Sequence, residues 1–188
     1  MKSLRIGVYG ARGIPSTYSG YETFLSALDE FSEIIEAYRA SVHSRSEDAA
    51  TCNDCHGTHA IYSAADPRST VNHLKVPATC GQCHEEITAI FNTSVHGRAA
   101  THGVREAPVC TDCHGEHLIL SAKDPDSKTY GRTLATETCA RCHDDPVIVA
   151  KYRLQGGVVG SYVDSYHGWA TRLDDASSAS CVSCHTAH

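Results

Sequence analysis

The stretch Cys110-Thr-Asp-Cys113-His114 contains the pattern that decides the fold of this chain. The pattern Cys-x-x-Cys-His occurs five times in the 188 residues and uses all ten cysteines. The five copies, numbered sites 1 to 5 in chain order, are Cys52, Cys55 and His56; Cys80, Cys83 and His84; Cys110, Cys113 and His114; Cys139, Cys142 and His143; Cys181, Cys184 and His185. The same residue types at a constant spacing indicate one chemical task carried out five times.

Haem attachment is the task that fits this spacing. The two thiols can form thioethers to the vinyl groups of one haem, and the histidine that follows can bind the haem iron. The sequence therefore predicts five covalently bound haems c. The ten cysteines are the predicted attachment residues, and the five motif histidines are the predicted proximal iron ligands.

Zinc and disulfide bonds are the other common uses of paired cysteines. A structural zinc ion takes four ligands, whereas five pairs are an odd number, and zinc gives no reason for a histidine after every second cysteine. A disulfide framework would need five bridges across only two intervening residues, an unusual way to stabilise a small secreted fold. Both interpretations are weaker than haem attachment.

The composition indicates that side chains alone do not supply the core. Leu, Ile, Val and Phe together number 34 of the 188 residues, which is below about one fifth, the level under which a charged chain is normally disordered. Five porphyrins would provide the missing apolar mass. The net charge of −6, without a cluster of Lys and Arg, argues against a nucleic-acid partner. No apolar run approaches the roughly 18 residues of a transmembrane segment.

Eight of the thirteen histidines lie outside the five motifs, and three of them share the context Ser-x-His. These are His43, His96 and His167. Each is preceded by apolar residues that form one face of a helix. The residues are Ile34, Tyr38 and Val42; Ile87, Phe91 and Val95; Val158, Tyr162 and Tyr166. The pattern predicts three short amphipathic helices that end at these histidines, the third weakened by nearby glycines at 156, 157 and 160.

Three further histidines follow a motif histidine after three residues: His59, His117 and His188. The loops after the first two also match, because Asp66-Pro67 and Asp124-Pro125 stand at the same offset. A repeat unit therefore holds two haem sites and two spare histidines, and the third unit reaches only its first site. This repeat divides the chain into three units. Unit 1 contains His43, site 1, His59 and site 2; unit 2 contains His96, site 3, His117 and site 4; unit 3 contains His167, site 5 and His188.

The six repeated histidines are the predicted distal ligands, so that six candidates serve five irons and the pairs stay open. His73 and His102 have no counterpart in the other units and are predicted to lie at the surface or to bond haem propionates. Met1 is the only methionine, which excludes His/Met ligation and favours low to moderate reduction potentials.

These features resemble the multihaem c-type cytochromes of respiratory bacteria, which have paired Cys-x-x-Cys-His sites and helix-borne Ser-Val-His-Gly ligands. The resemblance covers residues 31–188. It implies a mainly α-helical fold, with short helices and long irregular loops wrapped around haems and almost no β-structure. It also implies a respiratory or extracellular electron-transport chain, with other cytochromes or a membrane quinol oxidase as redox partners. It leaves open whether copies of the chain form a homo-oligomer or filament.

The first thirty residues have a different pattern. Leu4 to Tyr9 predicts a short strand, Gly10 to Pro15 a loop, and Tyr21 to Leu28 a helix. This β-loop-α opening resembles the N-terminal segment of family 4 glycosyltransferases, but it is too short for a nucleotide-sugar site. The sequence therefore predicts two segments: an incomplete glycosyltransferase-like fragment over residues 1–30 and a pentahaem cytochrome domain over 31–188. They would be joined by gene fusion or by a gene-assembly artefact.

Electron transfer without catalysis is the function that these residues favour. The alternative is an oxidoreductase acting on a small nitrogen or sulfur species, which needs one iron with an open distal position, whereas six histidines can close all five. Because haem c is attached outside the cytoplasm, the predicted location is periplasmic or extracellular, although no secretory signal is visible in this sequence.

Overall fold

The computed structural model describes residues 21–45, 48–175 and 177–185, and it describes side chains from residue 29 onward. This part of the chain is mainly α-helical and contains no β-strand. The predicted fold class is therefore confirmed for these residues. The predicted N-terminal strand, Leu4 to Tyr9, lies outside them.

Most of the described helices are short. They are α1 (Tyr21–Ala40), α2 (Cys52–His56), α3 (Val76–Cys80), α4 (Glu85–Thr93), α5 (Val95–Thr101), α6 (Cys110–His114), α7 (Ala140–His143), α8 (Pro146–Tyr152), α9 (Val158–Val163), α10 (Tyr166–Arg172) and α11 (Cys181–Cys184). Short 3-10 turns form at Val42–Ser44 and His73–Lys75, and a π-helical turn forms at Leu134–Cys139. None of the described helices is both long and apolar enough to cross a membrane.

Helix α1 is 20 residues long and crosses the predicted boundary between the two segments. It continues without a break through residues 30 and 31. The backbone alone does not reveal whether these residues have one origin or two, so the division of the chain stays a prediction.

The apolar stripes predict that the helices before the Ser-x-His motifs end at the histidine. In the structure they do not. Helix α4 ends at Thr93, Ser94 is extended, and His96 lies in the first turn of α5. The Ser94 Oγ accepts a hydrogen bond from Gly97 N at 3.1 Å, which caps the second helix. The serine therefore stops one helix and starts the next, because its side chain competes with the backbone of a continuing helix.

The same break recurs in units 1 and 3. Helix α9 ends at Val163 and α10 begins at Tyr166, with Ser165 as its capping residue. In unit 1, Ser41 is extended and is followed only by the 3-10 turn Val42–Ser44. Each Ser-x-His histidine thus lies just after a helix break instead of at a helix end.

Glycine permits the sharp junction in units 2 and 3. A Cβ at Gly97 would lie 2.0 Å from Phe91 O, and a Cβ at Gly168 would lie 2.2 Å from Tyr162 O. Any other residue would collide with the backbone of the preceding helix. In unit 1 the equivalent position is Ser44, where the chain forms a 3-10 turn instead of a second helix.

The core built by the described side chains is small. The largest side chains that are fully buried are those of Val109 and Ser41. One apolar cluster joins Val76, Ala100, Ala107 and Val109. Many large apolar side chains are exposed, among them Ile34, Ile61, Ile87, Ile90, Val95, Tyr166 and Trp169. The polypeptide therefore leaves apolar surface available for cofactors, as the composition suggests.

The sequence repeat is also a structural repeat. Ser69 N donates to Asp66 O, and Ser127 N donates to Asp124 O, both at 3.0 Å. Ser69 and Ser127 are both buried. The loop between the two sites of a unit is thus built in the same way in units 1 and 2.

Candidate haem-binding sites

The first site of each unit lies on a short helix that begins at its first cysteine: α2, α6 and α11. The residue before the helix donates its backbone N–H to a side chain of the first turn. These pairs are Thr51 with Asp54, Val109 with Asp112, and Ser180 with Ser183. The helix start is therefore fixed, and the two cysteines stand about one turn apart, as attachment to one porphyrin requires.

A glycine follows the motif histidine at sites 1 and 3. Gly57 has φ of 78° and Gly115 has φ of 87°, a conformation that other residues rarely adopt. The chain leaves the helix sharply at this point and continues to His59 or His117. The glycine thus decides where the second histidine of the pattern Cys-x-x-Cys-His-x-x-His lies.

Hydrogen bonds connect the second site of a unit to the loop that precedes it. Thr79 Oγ1 donates to Thr70 O at 2.7 Å, and Thr70 Oγ1 donates to Cys55 O at 2.5 Å. In unit 2, Thr138 Oγ1 donates to Lys128 O at 2.5 Å. These bonds fix the second site against the same loop in both units, and in unit 1 they link it to the first site.

Three motif histidines face a histidine from outside the motifs. The ring centres of His43 and His84 are 6.2 Å apart, those of His56 and His117 are 6.1 Å apart, and those of His96 and His143 are 6.2 Å apart. The angles between the ring planes are 34°, 8° and 57° respectively. Each pair thus combines one predicted proximal ligand with one predicted distal ligand.

The spacing of these pairs fits an iron ion held between two imidazoles. A bond from a metal ion to imidazole is about 2 Å long, so that two bonds and the distance from each nitrogen to its ring centre span about 6 Å. Direct stacking of two rings would bring them closer than the three observed pairs. The residues present therefore fit bis-histidine ligation at sites 1, 2 and 4.

Burial favours the neutral form of two of the distal histidines. Burial, and after it the neighbouring His84, lowers the pKa of His43. Burial, and after it His143, lowers the pKa of His96. A neutral imidazole carries the nitrogen lone pair that a metal ion requires.

The pairs follow a rule that relates the repeat units. Sites 2 and 4, the second sites of units 1 and 2, face the Ser-x-His histidine of their own unit. Site 1, the first site of unit 1, faces His117, which belongs to unit 2. The same offset would pair His114 of site 3 with His188, which lies outside the described residues.

His59 and His167, the other repeated histidines that the structure describes, are exposed. His59 contacts Thr58 Oγ1 through Nδ1 at 2.9 Å, and the ring of His167 lies edge-on to that of Tyr166 with 6.0 Å between centres. His185 of site 5 is also exposed. The structure therefore does not bring His59, His167 or His185 into a described pair.

Two cavities lie beside the paired histidines. One of about 300 Å³ is lined by His117 and by Glu30, Glu33, Ile34 and Ala37 of α1. The other, of about 260 Å³, is lined by Cys83, His84, Glu85, Glu86 and Ile87. Ile34 and Ile87 belong to the apolar stripes seen in the sequence. Each cavity thus combines a predicted iron ligand with an apolar side chain.

Sulfur atoms of consecutive sites lie close together. Cys80 of site 2 and Cys110 of site 3 pack against the same apolar cluster. The neighbouring Cys110, and after it burial, raises the pKa of Cys80. Burial, and after it Cys181 of site 5, raises the pKa of Cys139 of site 4 to about 11. The spatial neighbours are therefore also neighbours in the sequence.

The remaining steps between sites follow the same order. Helix α2, which carries site 1, contacts α3, which ends at Cys80 of site 2. Burial, and after it Cys80, raises the pKa of Cys55. Cys142 of site 4 is among the neighbours that raise the pKa of Cys113 of site 3, after burial and Asp112. Helix contacts thus link sites 1, 2 and 3, and the influence of neighbouring cysteines on the pKa of Cys113 and Cys139 indicates the same order for sites 3, 4 and 5.

The structure gives no support to the other uses of paired cysteines. All ten cysteines are free thiols, and none forms a disulfide bond. Within the described ranges, no three His, Cys, Asp or Glu side chains gather around a point where they could hold a metal ion. The cysteines and histidines are arranged in five separate sites.

Repeated Cys-x-x-Cys-His sites, a helical scaffold with a small core and histidine pairs spaced for iron define a class of protein, the multihaem c-type cytochromes. Residues 37–115 match the family described as cytochrome c7 and related cytochrome c. Its members are typically electron carriers that contain haem c and are usually periplasmic.

The match includes sites 1, 2 and 3 and does not reach residues 1–36. The resemblance of residues 1–30 to glycosyltransferases therefore receives no support from it. Comparisons with curated proteins and with solved structures gave no match.

Proposed function

We propose that this chain carries electrons along five covalently bound haems c, one at each Cys-x-x-Cys-His site. The observation that supports this most directly is the set of three histidine pairs at 6.1–6.2 Å. When bound, haem c supplies a one-electron redox centre at each site.

The protein residues have three tasks in this proposal. The cysteines would fix each cofactor covalently, the histidine pairs at sites 1, 2 and 4 would hold its iron, and apolar side chains such as Ile34 and Ile87 would cover it. An iron with two imidazole ligands has no position left for a substrate, which favours electron transfer over catalysis. Histidine at both positions also favours lower potentials than His/Met ligation.

The order of the sites supports a linear path. Cys80 of site 2 and Cys110 of site 3 pack against the same apolar cluster. Burial, and after it Cys181 of site 5, raises the pKa of Cys139 of site 4. An electron that enters at either end would pass through every site in sequence order, because each site has its sequence neighbours beside it.

The proposed partners are redox proteins, either other cytochromes or a membrane quinol oxidase. The proposed location is periplasmic or extracellular, where haem c is attached. The acidic balance of the chain, −6 at pH 7, suits a partner with a basic docking surface.

The test is the number of haems per chain. The full chain, expressed behind a functional export signal together with haem maturation proteins, is examined by intact mass and by pyridine haemochrome absorbance. Five haems per chain support the proposal. Three, at the sites within the family match, would limit the cytochrome to that segment, and none, with zinc bound, would contradict the proposal.

A further inference from the structure

The turn that leads into the second haem site of a unit contacts the unit that follows. His73 stands seven residues before Cys80, the first cysteine of site 2, and Arg132 stands seven residues before Cys139, the first cysteine of site 4. The two residues thus occupy equivalent positions in units 1 and 2. Each side chain reaches the next unit close to the segment between α5 and α6 or between α10 and α11.

His73 links unit 1 to unit 2. Its Nε2 lies 3.0 Å from Ala107 O, and its Nδ1 lies 3.8 Å from Asp112 Oδ2. Ala107 belongs to the apolar cluster against which Cys80 of site 2 and Cys110 of site 3 both pack. The ring therefore holds the turn before site 2 against the residues that lead into site 3.

Arg132 links unit 2 to unit 3 through the same two kinds of acceptor. It donates to Arg172 O at 2.9 Å and to Asp174 Oδ1 at 2.6 Å. A backbone carbonyl and a carboxylate thus face the side chain at both junctions. The difference lies in the side chain itself, since a guanidinium stays charged, whereas an imidazole gains or loses a proton near neutral pH.

The surroundings of the two ring nitrogens suit the protonated form of His73. A neutral imidazole carries one N–H, and its other nitrogen is an acceptor. With a carbonyl oxygen beside Nε2 and a carboxylate oxygen beside Nδ1, the neutral ring leaves one lone pair facing an oxygen. The imidazolium presents an N–H to both oxygens and is attracted by the charge of Asp112. Proton binding therefore strengthens the contact.

The charged groups around His73 lie on its own turn and on the elements of unit 2 beside it. Asp112 faces the ring from α6, and Lys75 lies on the same 3-10 turn as His73. Arg105 and Glu106 are exposed in the loop before site 3, and the Glu106 carboxylate binds α8. The sequence of α3, which follows the turn, contains no Asp, Glu, Lys, Arg or His. Asp112 is thus the carboxylate that faces the ring.

We infer that His73 and Arg132 are positioning residues for electron transfer between units, and that the His73 contact responds to pH whereas the Arg132 contact does not. The inference rests on the proposed function, because positioning affects transfer only when haem is bound. Protonation of His73 closes the junction between sites 2 and 3. This contribution is present at low pH and is lost as the pH rises through the range of about 5 to 8, in which histidine ordinarily loses its proton to water.

Amide hydrogen exchange of the haem-loaded full chain measures both junctions at once. Val104 N and Ala107 N donate to backbone oxygens at the first junction, and Asp174 N and Asp175 N do so at the second. Rates are corrected for the intrinsic effect of pH on exchange. Between about pH 5 and about pH 8, the first pair of amides in the wild type should become about two- to fivefold faster relative to the second pair, the range expected for an exposed ion pair.

Exchanging the two residues tests the assignment. His73→Arg supplies the side chain that unit 2 has at this position and should abolish the pH dependence at the first junction. Arg132→His should create a pH dependence at the second junction. His102→Gln, which changes an exposed histidine whose ring lies beside Arg98 O, should behave as the wild type does.

Asp112→Asn distinguishes this carboxylate from a propionate of a bound haem. Asparagine can still accept the hydrogen bond that Val109 N donates to Asp112, but it carries no charge, so that the pH dependence of exchange should be lost. Reduction of the protein after a potential step measures the effect on electron transfer. The wild type should be reduced more slowly as the pH rises from about 5 to about 8, and His73→Arg should not.

The inference would be overturned if His73→Arg or Asp112→Asn kept the wild-type pH dependence, or if Arg132→His acquired none. Exchange that responds to pH without any change in the reduction rate would refute the positioning role. The haem count separates this inference from the proposed function. Five haems with pH-independent exchange refute only the inference, whereas fewer than five refute the proposed function.

Discussion

The thirteen histidines of the sequence carry the same side chain, but those that the structure describes differ in their contacts. His73 Nε2 lies 3.0 Å from Ala107 O, and His102 Nδ1 lies 2.6 Å from Arg98 O. Each of these two rings thus lies beside a backbone carbonyl oxygen. His43, His96 and His117 instead face a motif histidine across a gap of the width that iron requires.

Replacing His43 should open site 2. In haem-loaded His43→Ala, one iron loses its distal imidazole, and we expect one more haem in five to bind carbon monoxide than in the wild type. The measurement is the carbon monoxide difference spectrum, normalised to total haem. His102→Ala is the control and should add no reactive haem. A His43→Ala spectrum equal to that of the wild type would contradict the pair His43–His84.

The sequence singles out the histidines that form the three pairs, but it does not predict which histidine faces which. The five motifs and the two repeated histidine sets identify every residue of the three observed pairs. The partners themselves depend on how one unit docks on another, through contacts such as those of Ser41 with Ile119, and nothing in the spacing of either residue reveals them.

At the scale of single helices, the break before each Ser-x-His histidine is the main difference from the sequence expectation. The apolar stripe continues through Ser94 without interruption, so that periodicity alone predicts an unbroken helix. The serine cap and the close approach at Gly97 are local backbone effects that a pattern of apolar residues does not contain. The sequence feature that could have predicted the helix break is the glycine that follows two of the three Ser-x-His motifs.

Gly97→Ala should open the junction between α4 and α5. Its Cβ would lie 2.0 Å from Phe91 O, so that the backbone must move to relieve this contact. We expect a loss of about 1–3 kcal/mol in the free energy of unfolding, the usual cost of overpacking. We also expect weaker ligation at site 4, because His96 lies in the displaced turn.

Thermal unfolding and the carbon monoxide spectrum measure the two effects of Gly97→Ala. Gly160→Ala is the matched control, because Gly160 lies in a helix where an added Cβ meets nothing within 4 Å. It should be neutral or stabilise by up to about 1 kcal/mol. Equal behaviour of the two variants would refute the steric explanation.

The contact of Glu106 with α8 should make stability depend on pH. Lys151, and after it Tyr152, lowers the pKa of Glu106 from 4.5 to about 2 by hydrogen bonds to its carboxylate. A lowered pKa means that the contact stabilises the fold above pH 4.5 and that this contribution is lost as the pH falls toward 2. Because the contact is exposed, the effect is small.

Glu106→Gln should therefore lower the melting temperature by about one to three degrees at pH 7. The difference from the wild type should vanish as the pH falls from 4.5 toward 2. Glu116→Gln, an exposed residue outside this contact, should show no such difference. A Glu106→Gln effect that stays constant over this pH range would show that the charge is not its cause.

At the scale of the whole molecule, the path between sites depends on the middle of the series. Cys110→Ala/Cys113→Ala removes site 3 and separates sites 1 and 2 from sites 4 and 5. Cys181→Ala/Cys184→Ala removes only the end. With the protein attached to an electrode through its N-terminal end, a fast potential step should reduce the first variant incompletely on the timescale of the wild type. The second variant should reduce its four haems at the wild-type rate. Equally fast reduction of the two variants would contradict the linear order.

The small core has a consequence for the chain without haem. Val109 and Ser41 are the largest side chains that are fully buried, and many large apolar side chains are exposed. A chain produced without haem maturation should therefore show no cooperative thermal transition by circular dichroism, whereas the haem-loaded chain should show one. A cooperative transition in the haem-free chain would mean that side chains alone suffice for the fold. The composition predicts this dependence, and the arrangement of units is the part that only the structure provides.

The pair His56–His117 also affects the order in which the sites would obtain their second histidine. His43 precedes site 2 in the chain, so that in the proposed export of the protein it would already be present when Cys80 and Cys83 emerge. Site 1 waits instead for a residue 61 positions further on, because its partner His117 belongs to the next unit. If the chain is exported from its N-terminus as proposed, sites 2 and 4 would have both histidines as soon as they emerge, while site 1 would lack its second histidine until unit 2 has followed.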